Sequence, residues 1–158
     1  MTSERAGLYV HIPFCLTRCG YCDFNAYAGM DHLSAPYVDA LCREARLVAA
    51  EWDGVGFATI FFGGGTPTTL SSDTIGMLIE TFREHFDVLV DAEITCEANP
   101  DTVGVDSLTR LRARGVNRLS MGVQSFDADV LASLQRVHSA DSARRAYAAA
   151  ARAHRFAP

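Results

Sequence analysis

Strand-like and helix-like segments alternate along this 158-residue chain, and the alternation limits the folds that the chain can adopt. The predicted strands are residues 8–12, 58–62, 92–98 and 118–124. The predicted helices are residues 34–52, a helix capped at Ser71 or Ser72, a short helix that ends at Gly115, a helix capped at Asp127, and residues 141–153. Because a helix-length connection separates each strand from the next, the strands are predicted to pair in parallel.

The predicted strands are polar on one side only. In the fourth strand, for example, Leu119, Met121 and Val123 alternate with polar or small residues. A parallel sheet with helices on both faces is apolar throughout, so this pattern favours a curved sheet with helices outside and a polar interior. We therefore predict an α/β fold, an incomplete parallel (β/α) barrel of about four strands. A two-layer sheet with one face in water is the alternative.

Three cysteines follow the first predicted strand within the sequence CLTRCGYC. Cys15, Cys19 and Cys22 have the spacing C-x3-C-x2-C, which suits thiolate ligation of a cubane iron–sulfur cluster. Three thiolates leave one iron without a protein ligand, and an open metal position can bind a substrate or cofactor. The alternatives are a zinc site completed by His11, or three unrelated thiols. Cys42 and Cys96, in contrast, are predicted to be small buried hydrophobic residues.

Further candidate residues lie where the other strands end. The sequence FFGGGTPT follows the second strand, and its glycines let the backbone approach a ligand closely. Glu97 ends the third strand and could accept hydrogen bonds from ribose hydroxyls, while Gln124 ends the fourth and Arg136 follows twelve residues later. The carboxyl ends of parallel strands meet at one edge of a sheet, so these residues and the cysteines are predicted to share one site.

Composition narrows the function classes. The formal net charge is −5 and no basic run is present, so nucleic acid is not an expected partner. No apolar run approaches about 18 residues, and the N-terminus lacks a signal-peptide pattern, so we predict no transmembrane segment and a cytoplasmic location. In that compartment clustered cysteines indicate metal or redox chemistry rather than disulfides.

Taken together, CLTRCGYC, GGGTP, EANP and GVQSF resemble the radical S-adenosylmethionine (radical SAM) superfamily. YVHIPFC, GGGTPT and VQSF resemble, more narrowly, the branch that contains oxygen-independent coproporphyrinogen III oxidase and the radical SAM haem chaperone. The similarity extends from about Gly7 to His138. It implies a 4Fe–4S cluster whose free iron binds S-adenosylmethionine, and in active members reductive cleavage of that cofactor to a 5′-deoxyadenosyl radical.

The resemblance also implies roles for individual residues. Cys15, Cys19 and Cys22 would be the metal ligands. Gly64, Gly65 and Thr66 would contact the methionine end of S-adenosylmethionine, and Glu97 its ribose. The further cofactor contacts that the resemblance implies are Tyr9, Tyr21, Gln124 and Arg136.

The chain departs from the pattern of the branch in two ways. The oxidase has a further cysteine two residues past the third, where this chain has Phe24, which is the pattern of the chaperone. Members of the branch also continue to a six-stranded partial barrel and a C-terminal domain, whereas this sequence stops at AHRFAP without the HNxxYW motif of the chaperone. Residues 1–158 are therefore expected to be the N-terminal part of a radical SAM core, a fragment of a longer protein.

These observations favour a haem chaperone-like protein that binds a cluster and S-adenosylmethionine and delivers haem, with haem bound by the full-length protein. One alternative is the oxidase, which converts propionates of a porphyrinogen to vinyls by oxidative decarboxylation. Another is a non-catalytic metal-binding fragment. The expected partners are S-adenosylmethionine, haem or porphyrinogen, and an electron donor such as flavodoxin or ferredoxin.

Overall fold

The computed structural model describes residues 5–153 of the chain, so most of the terminal AHRFAP lies outside the described residues. Its strands are β1 (Arg5–Ile12), β2 (Phe14–Cys15), β3 (Tyr27–Ala28), β4 (Gly56–Gly64), β5 (Asp87–Ala98) and β6 (Arg118–Met121). Its α-helices are α1 (Ser34–Val48), α2 (Ser72–His85), α3 (Val105–Ala113), α4 (Ala128–Ser133) and α5 (Ala140–Arg152).

Four strands form one parallel sheet in the order β1-β4-β5-β6. A long connection containing a helix precedes β4, β5 and β6, which is why the pairing is parallel, as the sequence predicts. A second, minor sheet pairs β2 with β3, also in parallel, and was not predicted. This pairing holds Phe14 and Cys15 in an extended conformation and so helps to fix the start of the cysteine loop, which we define as residues 15–22.

The apolar face of the main sheet forms the core with the helices. Ile12, Ile60, Phe62, Ile94 and Cys96 are fully buried there. They belong to one cluster with apolar side chains of the helices, among them Val38, Cys42, Ile75, Leu78, Ile79, Phe82, Leu108, Leu111 and Ala149. The burial of Cys42 and Cys96 agrees with their interpretation as small hydrophobic residues.

The helix boundaries follow the predicted caps. The hydroxyl of Ser71 accepts a hydrogen bond from the Thr74 amide at the start of α2, and the carboxylate of Asp127 accepts from two amides at the start of α4. Gly115 follows α3 with φ +111°, the left-handed conformation of a C-terminal glycine. The first helix changes at Val48 to a 3-10 segment, Ala49–Trp52, so the predicted span is helical but not α-helical throughout.

Two strand boundaries differ from the prediction. β5 begins five residues earlier than predicted. Its register against β4 shifts between Phe57 and Thr59, because four β5 residues lie opposite the single β4 residue Ala58. β6 ends at Met121 rather than at Gln124. The chain leaves the strand there because the Val123 amide donates to the Met121 carbonyl two residues earlier.

Candidate functional site

The predicted site residues line one cavity at the carboxyl end of the sheet. Its volume is about 590 Å³. Of the eleven residues proposed from the sequence, ten line it, namely Cys15, Cys19, Tyr21, Cys22, Gly64, Gly65, Thr66, Glu97, Gln124 and Arg136. Nine of them come from four chain segments that follow or end successive strands, which is the arrangement expected for a ligand site in a parallel sheet, and Arg136 follows α4.

Tyr9 is the eleventh residue and lies outside that lining. Its ring stacks on Phe61 with centroids 6.1 Å apart, and its hydroxyl is 3.1 Å from Nδ1 of His11. Burial, with a smaller effect of Glu97, raises the pKa of the Tyr9 hydroxyl. A cofactor contact of Tyr9 stays a prediction.

Main-chain hydrogen bonds hold the glycine loop (residues 63–66) to the chain directly before the cysteine loop. The Gly65 amide donates to the Ile12 carbonyl at 2.8 Å, and the Thr66 amide donates to the Phe14 carbonyl at 2.8 Å. A Cβ atom on Gly65 would lie 2.7 Å from the Phe14 oxygen and 3.0 Å from Sγ of Cys15. Glycine is therefore required for the two loops to approach this closely.

A chain of side-chain hydrogen bonds connects two of the three thiols across the cavity. Sγ of Cys15 is 3.5 Å from Oγ1 of Thr66, which accepts a hydrogen bond from Nδ2 of Asn99 at 3.1 Å. Oδ1 of Asn99 accepts from Nη2 of Arg136 at 2.7 Å, and Nη1 of Arg136 donates to Sγ of Cys19 at 3.3 Å. The network places hydrogen-bond donors next to sulfur, the arrangement that supports thiolate ligands in metal sites.

Asn99 is a member of this hydrogen-bond chain that was not predicted from the sequence. It lies between Thr66 and Arg136 and accepts from one while donating to the other. The side-chain amide does both at once, whereas an ionised carboxylate has no donor and a hydrophobic residue has neither group, so either would break the chain. It lies directly after β5, two residues past Glu97, and this position was the sequence feature that could have identified it.

Burial raises the pKa of two groups in the cavity wall. Burial raises the pKa of Glu97, and the Gly64 amide, which donates to its carboxylate at 3.3 Å, acts in the opposite direction. Burial also raises the pKa of the Cys15 thiol, and the neighbouring Cys22 and Cys19 add to this, while Thr66 and Arg136 oppose it. The positive guanidinium thus lies where thiolate charge would gather.

His11 is already engaged within the protein. Its Nε2 is 2.8 Å from the Asn25 carbonyl oxygen and its Nδ1 is 3.1 Å from the Tyr9 hydroxyl, so both ring nitrogens have partners. Among residues 5–153, no three His, Cys, Asp or Glu side chains are close enough together to hold a single metal ion. A cubane cluster differs because each thiolate binds a different iron, so its ligands stay farther apart.

Comparison with known proteins gives consistent matches. The model of the "Radical SAM superfamily" matches residues 9–156. The chain is 43% identical over 142 residues to "Heme chaperone HemW" of Mycobacterium tuberculosis, covering 88% of this chain and 36% of that protein. It is 42% identical over 140 residues to "Heme chaperone HemW" of Escherichia coli, covering 88% of this chain and 37% of that protein. The chain thus spans a little over a third of the length of these relatives.

A solved structure gives the same result for the fold. "Coproporphyrinogen III oxidase (HemN)" from Escherichia coli, described as a radical SAM enzyme, superposes with a TM-score of 0.88 at 37% identity, over 98% of this chain and 35% of that chain. The four-stranded parallel sheet therefore corresponds to part of the partial barrel of that structure. The predicted incomplete (β/α) barrel is confirmed.

Proposed function

The chain belongs to the radical SAM superfamily, and we propose that it holds a 4Fe–4S cluster on Cys15, Cys19 and Cys22 with S-adenosylmethionine at the remaining iron. One observation carries this proposal: three free thiols share a cavity with the glycine loop, Glu97 and Arg136. The donor set fits the cluster, because all three sulfurs come from one loop and hydrogen-bond donors already reach two of them.

The residues around the thiols have separate tasks in this proposal. Gly64, Gly65 and Thr66 leave backbone exposed to the methionine end of the cofactor, since no side chain at the two glycines blocks it. Glu97 offers carboxylate oxygens to ribose hydroxyls. Gln124, Arg136 and Tyr21 also line the cavity and could contact the cofactor, and Arg136 lies against the Cys19 sulfur. When bound, the cluster supplies the electron that cleaves the sulfonium of S-adenosylmethionine.

The wider role that we propose is that of a haem chaperone-like protein. The similarity to two bacterial proteins named "Heme chaperone HemW" supports it, as does Phe24, which lines the cavity where the oxidase pattern has a cysteine. A phenyl ring cannot ligate metal. In this proposal haem binding and delivery need the part of the protein that the longer relatives contain, and flavodoxin or ferredoxin is the electron donor.

No helix within residues 5–153 is long and apolar enough to cross a membrane. We place the proposed activity in the cytoplasm. The five cysteines support this, since all are free and a reducing compartment keeps them so.

The second candidate function is oxidative decarboxylation of a porphyrinogen. The structural match to coproporphyrinogen III oxidase favours it, at a TM-score of 0.88. Incubation of the reconstituted protein with coproporphyrinogen III, S-adenosylmethionine and a reductant tests it by measuring vinyl products. Product formation would establish the oxidase, whereas haem transfer to an acceptor protein without product would support the chaperone.

The experiment that tests the cofactor site is anaerobic reconstitution with iron and sulfide, followed by EPR of the reduced protein. We expect a cluster signal that changes when S-adenosylmethionine is added. A signal that ignores the cofactor would contradict binding at the open iron. Zinc without labile sulfide in the purified protein would instead support a metal-binding fragment without catalysis.

A further inference from the structure

A short segment between α4 and α5, residues 135–138, contacts both walls of the cavity. Its sequence is QRVH. Gln135 and Arg136 reach the cysteine loop, whereas Arg136 and His138 reach the chain that follows β6. We call residues 135–138 the clamp segment.

The chain that follows β6 has an unusual backbone. Gln124 has φ +65°, a strained conformation that residues other than glycine adopt uncommonly. The amides of Val123 and Ser125 each donate to the carbonyl two residues earlier, at 2.9 and 2.8 Å, so the chain turns sharply on both sides of Gln124. Such a conformation persists only where surrounding contacts fix it.

The clamp segment supplies those contacts. Nη2 of Arg136 donates to the Gly122 carbonyl at 2.8 Å, and Nε2 of His138 is 2.8 Å from the Val123 carbonyl oxygen. Because a carbonyl can only accept, Nε2 of His138 must carry the hydrogen. Two successive carbonyls directly before Gln124 are therefore held by two side chains of one segment.

His138 is buried, with 3% of its surface exposed, and does not line the cavity. Its other ring nitrogen, Nδ1, has no hydrogen-bond partner among the described residues. The hydrogen bond to the Val123 carbonyl is thus the polar contact that the buried imidazole makes. If this position only filled space, an apolar side chain would be favoured, because burying a polar ring costs free energy.

The other end of the clamp segment is fixed by α4. The amides of Gln135 and Arg136 donate to the carbonyls of Ala132 and Leu131, both at 2.9 Å, and Gln135 has φ +54°, which together form a helix-terminating Schellman motif. The side-chain amide of Gln135 lies against Gly20, where a Cβ atom would be 2.5 Å from its Oε1. The segment is therefore anchored before it reaches Val123.

We propose that His138 is a positioning residue, whose hydrogen bond to the Val123 carbonyl holds the Gln124 side chain at the cavity and so sets the affinity for S-adenosylmethionine. The backbone part of this inference is independent of any cofactor, whereas the affinity part rests on the proposed function. The two parts are tested separately.

The backbone part is tested by hydrogen exchange on the cofactor-free 158-residue chain. His138→Met keeps a side chain of similar length but is apolar and lacks the donor. His138→Gln places an amide donor near the position of Nε2. We expect exchange at the Val123 and Ser125 amides to rise about tenfold in the Met variant and to stay near wild type in the Gln variant. His138→Asn, whose donor is one carbon too short, should behave like Met and serves if the Met variant does not fold.

The affinity part is tested on reconstituted protein by titrating S-adenosylmethionine and following the EPR change. We expect about a tenfold higher Kd for His138→Met, restoration by His138→Gln, and equal cluster content in both. In a Gln124→Ala background, His138→Met should cause no further loss, because the side chain that it positions is absent.

Each contrary result has a distinct meaning. Wild-type exchange in the Met and Asn variants would overturn the role of His138 in holding the backbone. Increased exchange with an unchanged Kd for S-adenosylmethionine would overturn the positioning of Gln124 for the cofactor. Losses of affinity from His138→Met and Gln124→Ala that add fully in the double variant would overturn it too. If the wild-type chain binds a cluster but no S-adenosylmethionine, the proposed function fails together with the affinity part, while the exchange data still decide the backbone part.

Discussion

Gly65 shows how a single residue determines whether the site can form. A Cβ atom on Gly65 would lie within 3.0 Å of backbone atoms of Pro13 and Phe14 and of the Cys15 sulfur, so a methyl group there has no space. The atoms that it would meet are mostly backbone atoms, which cannot rotate away as the end of a flexible side chain can.

We therefore expect Gly65→Ala to destabilise the protein by about 1–3 kcal/mol, the range typical of overpacking. Urea unfolding of the cofactor-free protein measures the effect. Gly104→Ala is the matched control, since a Cβ atom on Gly104 has no heavy atom within 4 Å, and its effect should be smaller. Equal effects at the two glycines would contradict the steric explanation.

Glu97 shows how burial affects a candidate ligand. Because burial raises its pKa, the folded state binds a proton more tightly than the unfolded state does. The free energy of unfolding should therefore fall as the pH rises from the ordinary carboxyl range through the raised pKa, and this contribution should level off above it.

Glu97→Gln removes this titration. Compared with wild type, we expect the variant to gain stability progressively as the pH rises through that window. Urea unfolding of both proteins at a series of pH values provides the measurement, with Glu51→Gln at an exposed position as the control. A difference between Glu97→Gln and wild type that does not vary with pH would show that burial of the carboxylate has no energetic consequence.

At the scale of elements, the Asn117 side chain joins the start of β6 to β5, next to the main-chain hydrogen bond from the Asn117 amide to the Ile94 carbonyl at 3.0 Å. Its Oδ1 accepts from the Ile94 amide at 2.8 Å and its Nδ2 donates to the Ala92 carbonyl at 2.8 Å. The regular ladder begins one residue later, at Thr95 and Arg118. The side chain therefore satisfies two main-chain groups that would otherwise lack a strand partner.

We expect Asn117→Ala to cost about 1–3 kcal/mol, because both groups lose their partner. Asn117→Asp keeps the acceptor for Ile94 but places a carboxylate oxygen against the Ala92 carbonyl oxygen, so it should also destabilise the protein near neutral pH. The urea midpoints of the three proteins test this. An unchanged midpoint for Asn117→Ala would mean that the two hydrogen bonds contribute nothing measurable.

The elements themselves were largely predictable because their causes are local. Ser71 and Asp127 cap helices that the sequence placed there, and Gly115 ends α3. The boundaries that differed depend on contacts between elements. β5 begins early because it pairs with β4 across a shift in register, and β6 ends early because the chain turns toward Gln124.

At the scale of the whole molecule, the core divides the five cysteines into two groups. Cys15, Cys19 and Cys22 lie partly exposed around the cavity, whereas Cys42 and Cys96 are 8% and 0% exposed. Burial also raises the pKa of Cys96 to about 12, so its reactive thiolate is scarce at neutral pH.

Alkylation of the cofactor-free protein with iodoacetamide should therefore modify three cysteines quickly and two only as the protein unfolds. Mass spectrometry counts the adducts over time, and the same reaction in urea, where all five should react, is the control. Rapid modification of Cys96 in the native protein would contradict this expectation, because it would mean that the sheet opens locally without unfolding of the whole core.

The sequence by itself determined the order of strands and helices, their parallel pairing and the three thiols, because caps, periodicity and spacing are local properties of the chain. It also identified most of the cavity lining, since residues that end parallel strands must meet at one edge of the sheet. Tertiary structure alone decided that Asn99 connects Thr66 to Arg136, that Tyr9 turns toward His11, and that buried His138 holds Val123. These contacts, apart from that between Tyr9 and His11, join residues far apart in the chain, and their geometry depends on how the elements pack, which no local pattern encodes.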